Sequence, residues 1–400
     1  MKRRKSTVPK IIIKTGSILV LTLGIITFKA CKPIQGFMSK PEYAETSDLS
    51  LNYPKPKPSS KTIILIADNQ GTEIFDLLAP YYILKASTNA NVFIVSKHDL
   101  QIPLHRGLSI LPHHTFESFD ALDIRPDAIV IPNLSTIMPA EVDIDIIAFI
   151  KQNYDNDTYV LSVCDGAATA AKTGIFDDRQ MTAHASDIPY FKKWYPNIEW
   201  KTNKRYTISD NLIATAGVSN ATEGTLMLIS MLFDANTVEK AIKSINYPSD
   251  SVLNNHQSNP INFSDKVNIL SKVTLKGNKK IGVLLEDNVS EFNLAALLDT
   301  YSRTFPKSID TFSDNGKPVT SKHGLTLIPT ESLLGFDTLM CLDCDVTKEQ
   351  ENNGTNFKKV ILDTNYVFDQ VLNNHIGKEF NESFTQVVAK LLDYNPNQKK

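Results

Sequence analysis

The 400 residues contain no glycine-rich phosphate loop, which leaves nucleotide chemistry without a cradle. Charge of one sign is also lacking. The sum of 42 Lys and Arg against 44 Asp and Glu is a formal net charge of -2, with no basic field for nucleic acid and no acidic excess to keep the chain disordered. No helix-turn-helix extension follows the first globular half, so the sequence offers no route to direct DNA control. Cysteine is scarce, with four residues. Two form Cys341-Leu342-Asp343-Cys344, the spacing of a redox pair or half a zinc site, and no second pair completes a metal site. In an exported protein this pair is free to oxidise. His113 and His114 are adjacent and point oppositely on a strand, so they do not share a metal. No metal and no cofactor is implied.

With 42% hydrophobic and 22% charged residues, the chain reads as folded, and its length fits two domains. The first residues stand apart. Met1-Lys2-Arg3-Arg4-Lys5 is basic, and Thr15 to Phe28 is uncharged and mostly apolar, the pattern of a signal peptide or amino-terminal anchor. Ala30-Cys31 resembles a lipoprotein processing site. Residues 1–31 are therefore expected to tether the protein to a cell membrane with its body extracytoplasmic. Residues 32–60 are a Pro-rich spacer, with Tyr53-Pro54-Lys55-Pro56-Lys57-Pro58 favouring an extended chain.

Thr62 to Ala67 is a continuous apolar run, as in a strand buried on both faces. Further strands are expected at Asn91 to Val95, Asp127 to Ile131 and Thr158 to Val163, with helices between them. The alternation argues for a parallel sheet with helices on both faces. A hairpin at Tyr206–Ile208 and Leu212–Ala216 and a helix from Thr222 to Phe233 close this unit at residues 61–247. A polar linker occupies 248–278. Residues 279–395 then repeat the opening. Ile281 to Leu285 mirrors the first strand, Glu291-Phe292-Asn293-Leu294 mirrors Glu73-Ile74-Phe75-Asp76, and His323 to Pro329 mirrors Arg106 to Pro112. The copy then stops short: nothing after Cys344 corresponds to Val163 to Thr215, although a final helix near Phe380 to Leu392 remains. Its expected role is intramolecular packing against the first copy.

The chemistry concentrates in Val160-Leu161-Ser162-Val163-Cys164-Asp165-Gly166-Ala167-Ala168. A buried strand runs into Cys164 and small residues open a helix, the layout of a nucleophile elbow. The helix amino terminus is expected to favour thiolate; a buried structural cysteine is the competing reading. Cys164-Asp165-Gly166-Ala167, then Lys172 to Arg179, Met181-Thr182-Ala183-His184 and Ala214-Thr215-Ala216-Gly217 resemble PfpI-like proteins of the class I glutamine amidotransferase-like superfamily. The branch is that of isonitrile hydratases and AraC-type sensor domains. The resemblance spans about Lys61 to Tyr247, and weakly the second half.

It implies an α/β, flavodoxin-like fold followed by a truncated second copy. It also implies Cys164 as nucleophile, His184 near it, and Asp76 as the acid contacting the sulfur. The imidazole would accept the thiol proton. Against these stand a helix-capping role for Asp76 and a solvated loop for His184. Where the family offers a glycine pair for an oxyanion hole, this chain reads Pro132-Asn133-Leu134-Ser135, leaving the Leu134 N–H as donor. Asp165 follows the cysteine, where related hydratases carry a hydroxyl. Two functions follow: an enzyme acting on a small-molecule electrophile, or a ligand- or redox-sensing module using the same pocket.

Overall fold

The computed structural model describes residues 51, 53–134, 141–275, 278–330, 335–342, 357–360 and 365–395. The expected anchor at 1–31, Cys31, most of the spacer, Ser135 and Cys344 lie outside the described residues. Among the described residues no helix is long and apolar enough to cross a membrane.

In the first unit the strands are β1 (Thr62–Ile66), β2 (Thr72–Glu73), β3 (Asn91–Ser96), β4 (Ile102–His105), β5 (Leu108–Ile110) and β6 (His114–Thr115). They continue with β7 (Ala128–Ile131), β8 (Tyr159–Ser162), β9 (Gln180–Met181), β10 (Glu199–Trp200), β11 (Tyr206–Ser209) and β12 (Leu212–Thr215). The main sheet has seven strands in the order β11-β12-β8-β7-β1-β3-β6. Its pairings are parallel except for the β11–β12 hairpin, and β9 and β10 form a small parallel pair. Helices lie on both faces: α1 (Ile74–Ser87), α2 (Ile144–Asn153), α3 (Ala167–Lys172) and α4 (Ala221–Leu232).

The unbroken apolar run of β1 has its reason here. Ile63 and Leu65 enter one core with Leu77, Tyr81 and Leu226, while Ile64 and Ile66 enter another with Ile146, Phe149 and Ala168. Successive strand residues face opposite ways, so a sheet covered on both sides has no use for polar alternation. Each such side chain contributes about 1.5–3 kcal/mol by leaving water.

The segment expected to be a linker holds a helix, α5 (Phe263–Leu275). Asn262 Oδ1 accepts the Asp265 N–H, and Asp265 Oδ2 accepts the Asn262 N–H, a reciprocal cap. Its apolar residues Phe263, Val267 and Leu270 are exposed, so the stripe that normally marks a core-facing helix points outward here.

The second unit comprises β13 (Lys280–Leu284), α6 (Glu291–Ser302), β14 (Ser308–Phe312), β15 (Val319–Thr320), β16 (Thr326–Pro329), β17 (Thr338–Leu342), β18 (Phe357–Val360) and α7 (Glu382–Leu391). Its parallel sheet runs β14-β13-β17-β18, the same order as β3-β1-β7-β8. Asp127 Oδ2 accepts the Thr62 N–H at 2.7 Å, and Asp337 Oδ2 accepts the Lys280 N–H at 2.8 Å. The copy thus runs one strand beyond Cys344, to β18. The register pairs Ile129 with Val160 and Leu339 with Phe357, which makes β18 the counterpart of β8.

A five-stranded sheet, β15-β16-β5-β4-β2, joins the two units. β5 and β16 pair antiparallel with Ile110 opposite Leu327, two residues that occupy the same place in the repeat. Equivalent elements therefore meet around a local two-fold, the geometry of an isologous interface. Phe75 and Phe292, at the starts of α1 and α6, lie 5.2 Å apart. Gly107 fixes the approach. Its carbonyl accepts from Thr311 N–H and from the Thr311 and Thr330 hydroxyls, and an added Cβ would lie 2.5 Å from Ile309 O at a φ of +81°. Gly107→Val is expected to cost more than about 2 kcal/mol through strain and backbone collision. A chemical denaturation midpoint unchanged in this variant would contradict that role.

Candidate functional site

β8 delivers the chain to Cys164, which sits at φ +53° and begins a single turn, Cys164–Gly166, that leads into α3. A non-glycine residue in the left-handed region carries strain and marks a sharp reversal. The reversal packs tightly, since a Cβ on Gly166 would lie 2.2 Å from Ile131 O and 2.8 Å from Pro132 O. Only glycine fits. The Cys164 N–H donates to Thr215 Oγ1 at 3.2 Å, tying the elbow to the end of β12.

The sulfur is enclosed, with Cys164 3% exposed. Burial pushes the thiol pKa well above its ordinary value, and Asp165, Asp76 and Glu73 push it the same way. The Asp165 N–H acts on the sulfur in the opposite sense and is outweighed. The expectation that the helix terminus favours thiolate is therefore corrected: α3 is a six-residue helix, and its dipole loses to desolvation and three carboxyls. At neutral pH the group is a thiol.

Asp76 lies in the first turn of α1 and is 0% exposed. It is not the helix cap. That role belongs to Glu73, whose Oε2 accepts the Asp76 N–H at 2.7 Å. Asp76 Oδ2 accepts the Asn133 N–H at 3.2 Å, while Oδ1 and Glu73 Oε1 have no hydrogen-bond donor from the protein. Burial raises the Asp76 pKa well above the carboxylate range, with Glu73 and then Asp165 adding repulsion against the Asn133 N–H and Arg303. Asp76 thus holds a proton, and that proton is the donor the two facing carboxyls otherwise lack. Leu134, expected to offer an oxyanion N–H, buries its side chain in the core beside α2 and α3. The amide that this loop directs at the site is that of Asn133.

His184 is 8% exposed, with Nδ1 3.4 Å from Asp187 Oδ2 and Nε2 without a partner. Burial opposes its charge, yet the Asp187 hydrogen bond and the charges of Asp393 and Asp165 prevail and push its pKa up to about 9. An imidazolium cannot accept the thiol proton. His184 belongs to an acid cluster with Asp165, Asp187 and Asp393, and these acids favour its charged form. In that cluster burial holds Asp165 well above the carboxylate range, reinforced by Asp187 and moderated by His184.

Two charged residues come from the far end of the chain. Asp393, just past α7, accepts from Gly217 N–H at 3.0 Å and pairs with His256 Nε2 at 2.8 Å. Burial opposes its ionisation, but the His256 hydrogen bond and the His184 charge hold its pKa low. A Cβ on Gly217 would lie 2.1 Å from Asp393 Cβ, so the glycine after β12 makes room for it. Arg303, at the end of α6, reaches Glu73. Sequence reasoning named none of Glu73, Asp187, Thr215, His256, Arg303 or Asp393 as site residues. Cys341 is disulfide-bonded, and among the described residues Cys164 is the free cysteine. Among the described residues no group of three or more metal-ligating side chains occurs.

The model of the DJ-1/PfpI family matches residues 60–231. An isonitrile hydratase of Pseudomonas putida is 24% identical over 173 residues, 43% of this chain and 72% of that protein. A ThiJ/PfpI family protein from Pseudomonas syringae is 22% identical, covering 50% of this chain and 84% of its own, with a TM-score of 0.41. DJ-1beta of Drosophila melanogaster is 18% identical, covering 46% and 96% respectively, with a TM-score of 0.41.

The ultraviolet absorbance of thiolate, taken as the difference from Cys164→Ser, is expected to be missing at pH 7. It should emerge at alkaline pH, beyond the free-thiol value of about 8.5. A midpoint at or below that value would overturn the assignment of a protonated thiol.

Proposed function

We propose, starting from the DJ-1/PfpI family domain formed by residues 60–231, that this chain is a cysteine-dependent hydratase or hydrolase for a small, uncharged electrophile. The observation that carries the reading is the pairing of a strained, protonated thiol with a neutral carboxyl, Asp76, whose Oδ1 lacks a donor. An enclosed site ringed by carboxyls disfavours anions. The Pseudomonas putida relative, named for isonitriles, directs attention to carbon–nitrogen multiple bonds.

Addition to such a bond needs no free thiolate. Asp76 gives its proton to the terminal carbon of an isonitrile as Sγ bonds to the same carbon. The thiol proton passes to the carboxyl, which is left neutral. The product is a thioimidate. Water then adds to that carbon, the nitrogen gains one proton, and the carbon–sulfur bond breaks with the other proton returning to sulfur. The sum is isonitrile plus water giving an N-substituted formamide. His184, held as imidazolium, balances the negative charge of Asp187 and Asp393 beside this chemistry.

Reversible oxidation of Cys164 is the weaker reading, because oxidation follows thiolate character and exposure, and this thiol has little of either. The second half serves as a built-in partner packed on the first through β5 and β16. We also keep the tethered, extracytoplasmic placement. The apolar run near the amino terminus supports it, and the disulfide at Cys341 suits an oxidising compartment.

The purified protein is expected to turn over a member of a panel of isonitriles, amides and aldehydes. Cys164→Ser and Asp76→Asn should each lower kcat by roughly 10²–10⁴, with far-ultraviolet circular dichroism unchanged. Turnover that persists in both variants would sink the mechanism. A chain that binds a panel compound without converting it would be a ligand sensor.

A further inference from the structure

We infer that Arg303, carried by the second copy, completes the Cys164 site as a positioning residue. It clamps Glu73, which in turn holds Asp76, and it supplies a cation to the carboxyl ring around the thiol. The inference rests on the reading of Cys164 and Asp76 as the reacting pair, and names the residue from the other half that organises them.

The geometry begins with how Arg303 is oriented. It follows the last residue of α6 and is 7% exposed. Nη1 donates to the Asp299 carboxylate and to the Asp299 carbonyl at 3.2 Å, and Nε donates to Leu391 O at the end of α7 at 3.0 Å. All of these partners belong to the second copy, and they leave Nη2 to cross the interface. It stands 3.9 Å from Glu73 Oε1, an oxygen with no hydrogen-bond donor of its own. The other oxygen of Glu73 caps Asp76. A straight line of contacts therefore runs from Arg303 through Glu73 to the acid facing the thiol.

The local two-fold sharpens the point. Glu291 is the mirrored glutamate of the second copy, and it is satisfied within that copy by the Ser321 hydroxyl at 2.5 Å, the His323 N–H at 2.8 Å and His323 Nδ1 at 3.0 Å. Glu73 has the Arg303 guanidinium from across the interface 3.9 Å away, whereas Glu291 takes its hydrogen bonds within its own copy and feels Lys85 of the first copy electrostatically.

The groups facing the thiol are Asp165 from its own turn, Glu73 and Asp76 from α1, and Arg303 from the end of α6. His184, Asp187 and Asp393 lie on the far side of Asp165. Removing the cation must therefore disfavour thiolate, and removing the carboxylate it clamps must favour it. The thiol titrates at alkaline pH, where Glu73 is ionised.

The test uses the full chain and the difference absorbance of thiolate, which needs neither a substrate nor access to the sulfur. Arg303→Gln is expected to raise the thiol midpoint by about one pH unit or more, Arg303→Lys to bring it back, and Glu73→Gln to lower it. A folded Arg303→Gln protein with the wild-type midpoint would overturn the inference. If that variant does not fold, Glu73→Gln decides, and an unmoved midpoint there overturns it equally. Failure of the hydratase reading would appear separately, as a lack of turnover in a wild-type protein whose midpoint still responds to these variants.

Discussion

A carboxyl group taken out of water needs a counter-charge, a donor or a proton, and the surroundings of Cys164 supply each of these in turn. Glu73 takes the Asp76 N–H and lies beside Arg303. Asp76 takes the Asn133 N–H and keeps its proton. Asp165 is also driven toward its neutral form, while Asp187 faces His184. Asp393 takes the Gly217 N–H and a histidine. Two of the answering groups lie outside the segment that carries the cysteine, Arg303 in the second copy and His256 in the connection, and so does the acid Asp393. The site is therefore a property of the whole chain. Cutting between the copies would leave Glu73 buried against nothing or exposed to water, and either would change the proton held by its neighbour.

The duplication explains how this dependence is built. Equivalent strands pair across a local two-fold at Ile110 and Leu327, as two subunits would in an isologous dimer. Covalent linkage frees the copies to diverge. The first copy carries Cys164, while the second carries Arg303 and Asp393, which frame it. Glu291 and Glu73 show the same divergence on a smaller scale, one satisfied locally and the other across the interface.

What could be read in the sequence follows from the range of the forces involved. The β1 run and the small residues after Cys164 declare themselves, because a doubly covered strand and a crowded turn constrain neighbouring residues directly. The nearness of Asp76 to the thiol came from family resemblance, since no local pattern joins positions 76 and 164. The thiol's protonation state was misjudged because a local helix dipole was weighed without the carboxyls that α1 brings in. The acids around His184 were equally out of sight, since Asp393 lies more than two hundred residues away along the chain. α5 was missed because its apolar stripe faces outward, and Arg303 because its partner is in the other copy. The mirrored helix α6, read with the arginine that ends it, was the available hint.

A protonated nucleophile is often taken as an inactive one, but the proposed addition does not start from thiolate. Each pH unit by which the thiol pKa exceeds the ambient pH adds about 1.4 kcal/mol to the cost of forming thiolate first. A mechanism that waits for thiolate is penalised by every carboxyl in the ring. One in which Asp76 gives its proton to the substrate as the thiol gives up its own creates no separated charge, so the low-dielectric enclosure does not oppose it. The burial that makes Cys164 a poor free thiolate is the same burial that keeps Asp76 an acid at neutral pH. In the proposed mechanism the two shifts act together.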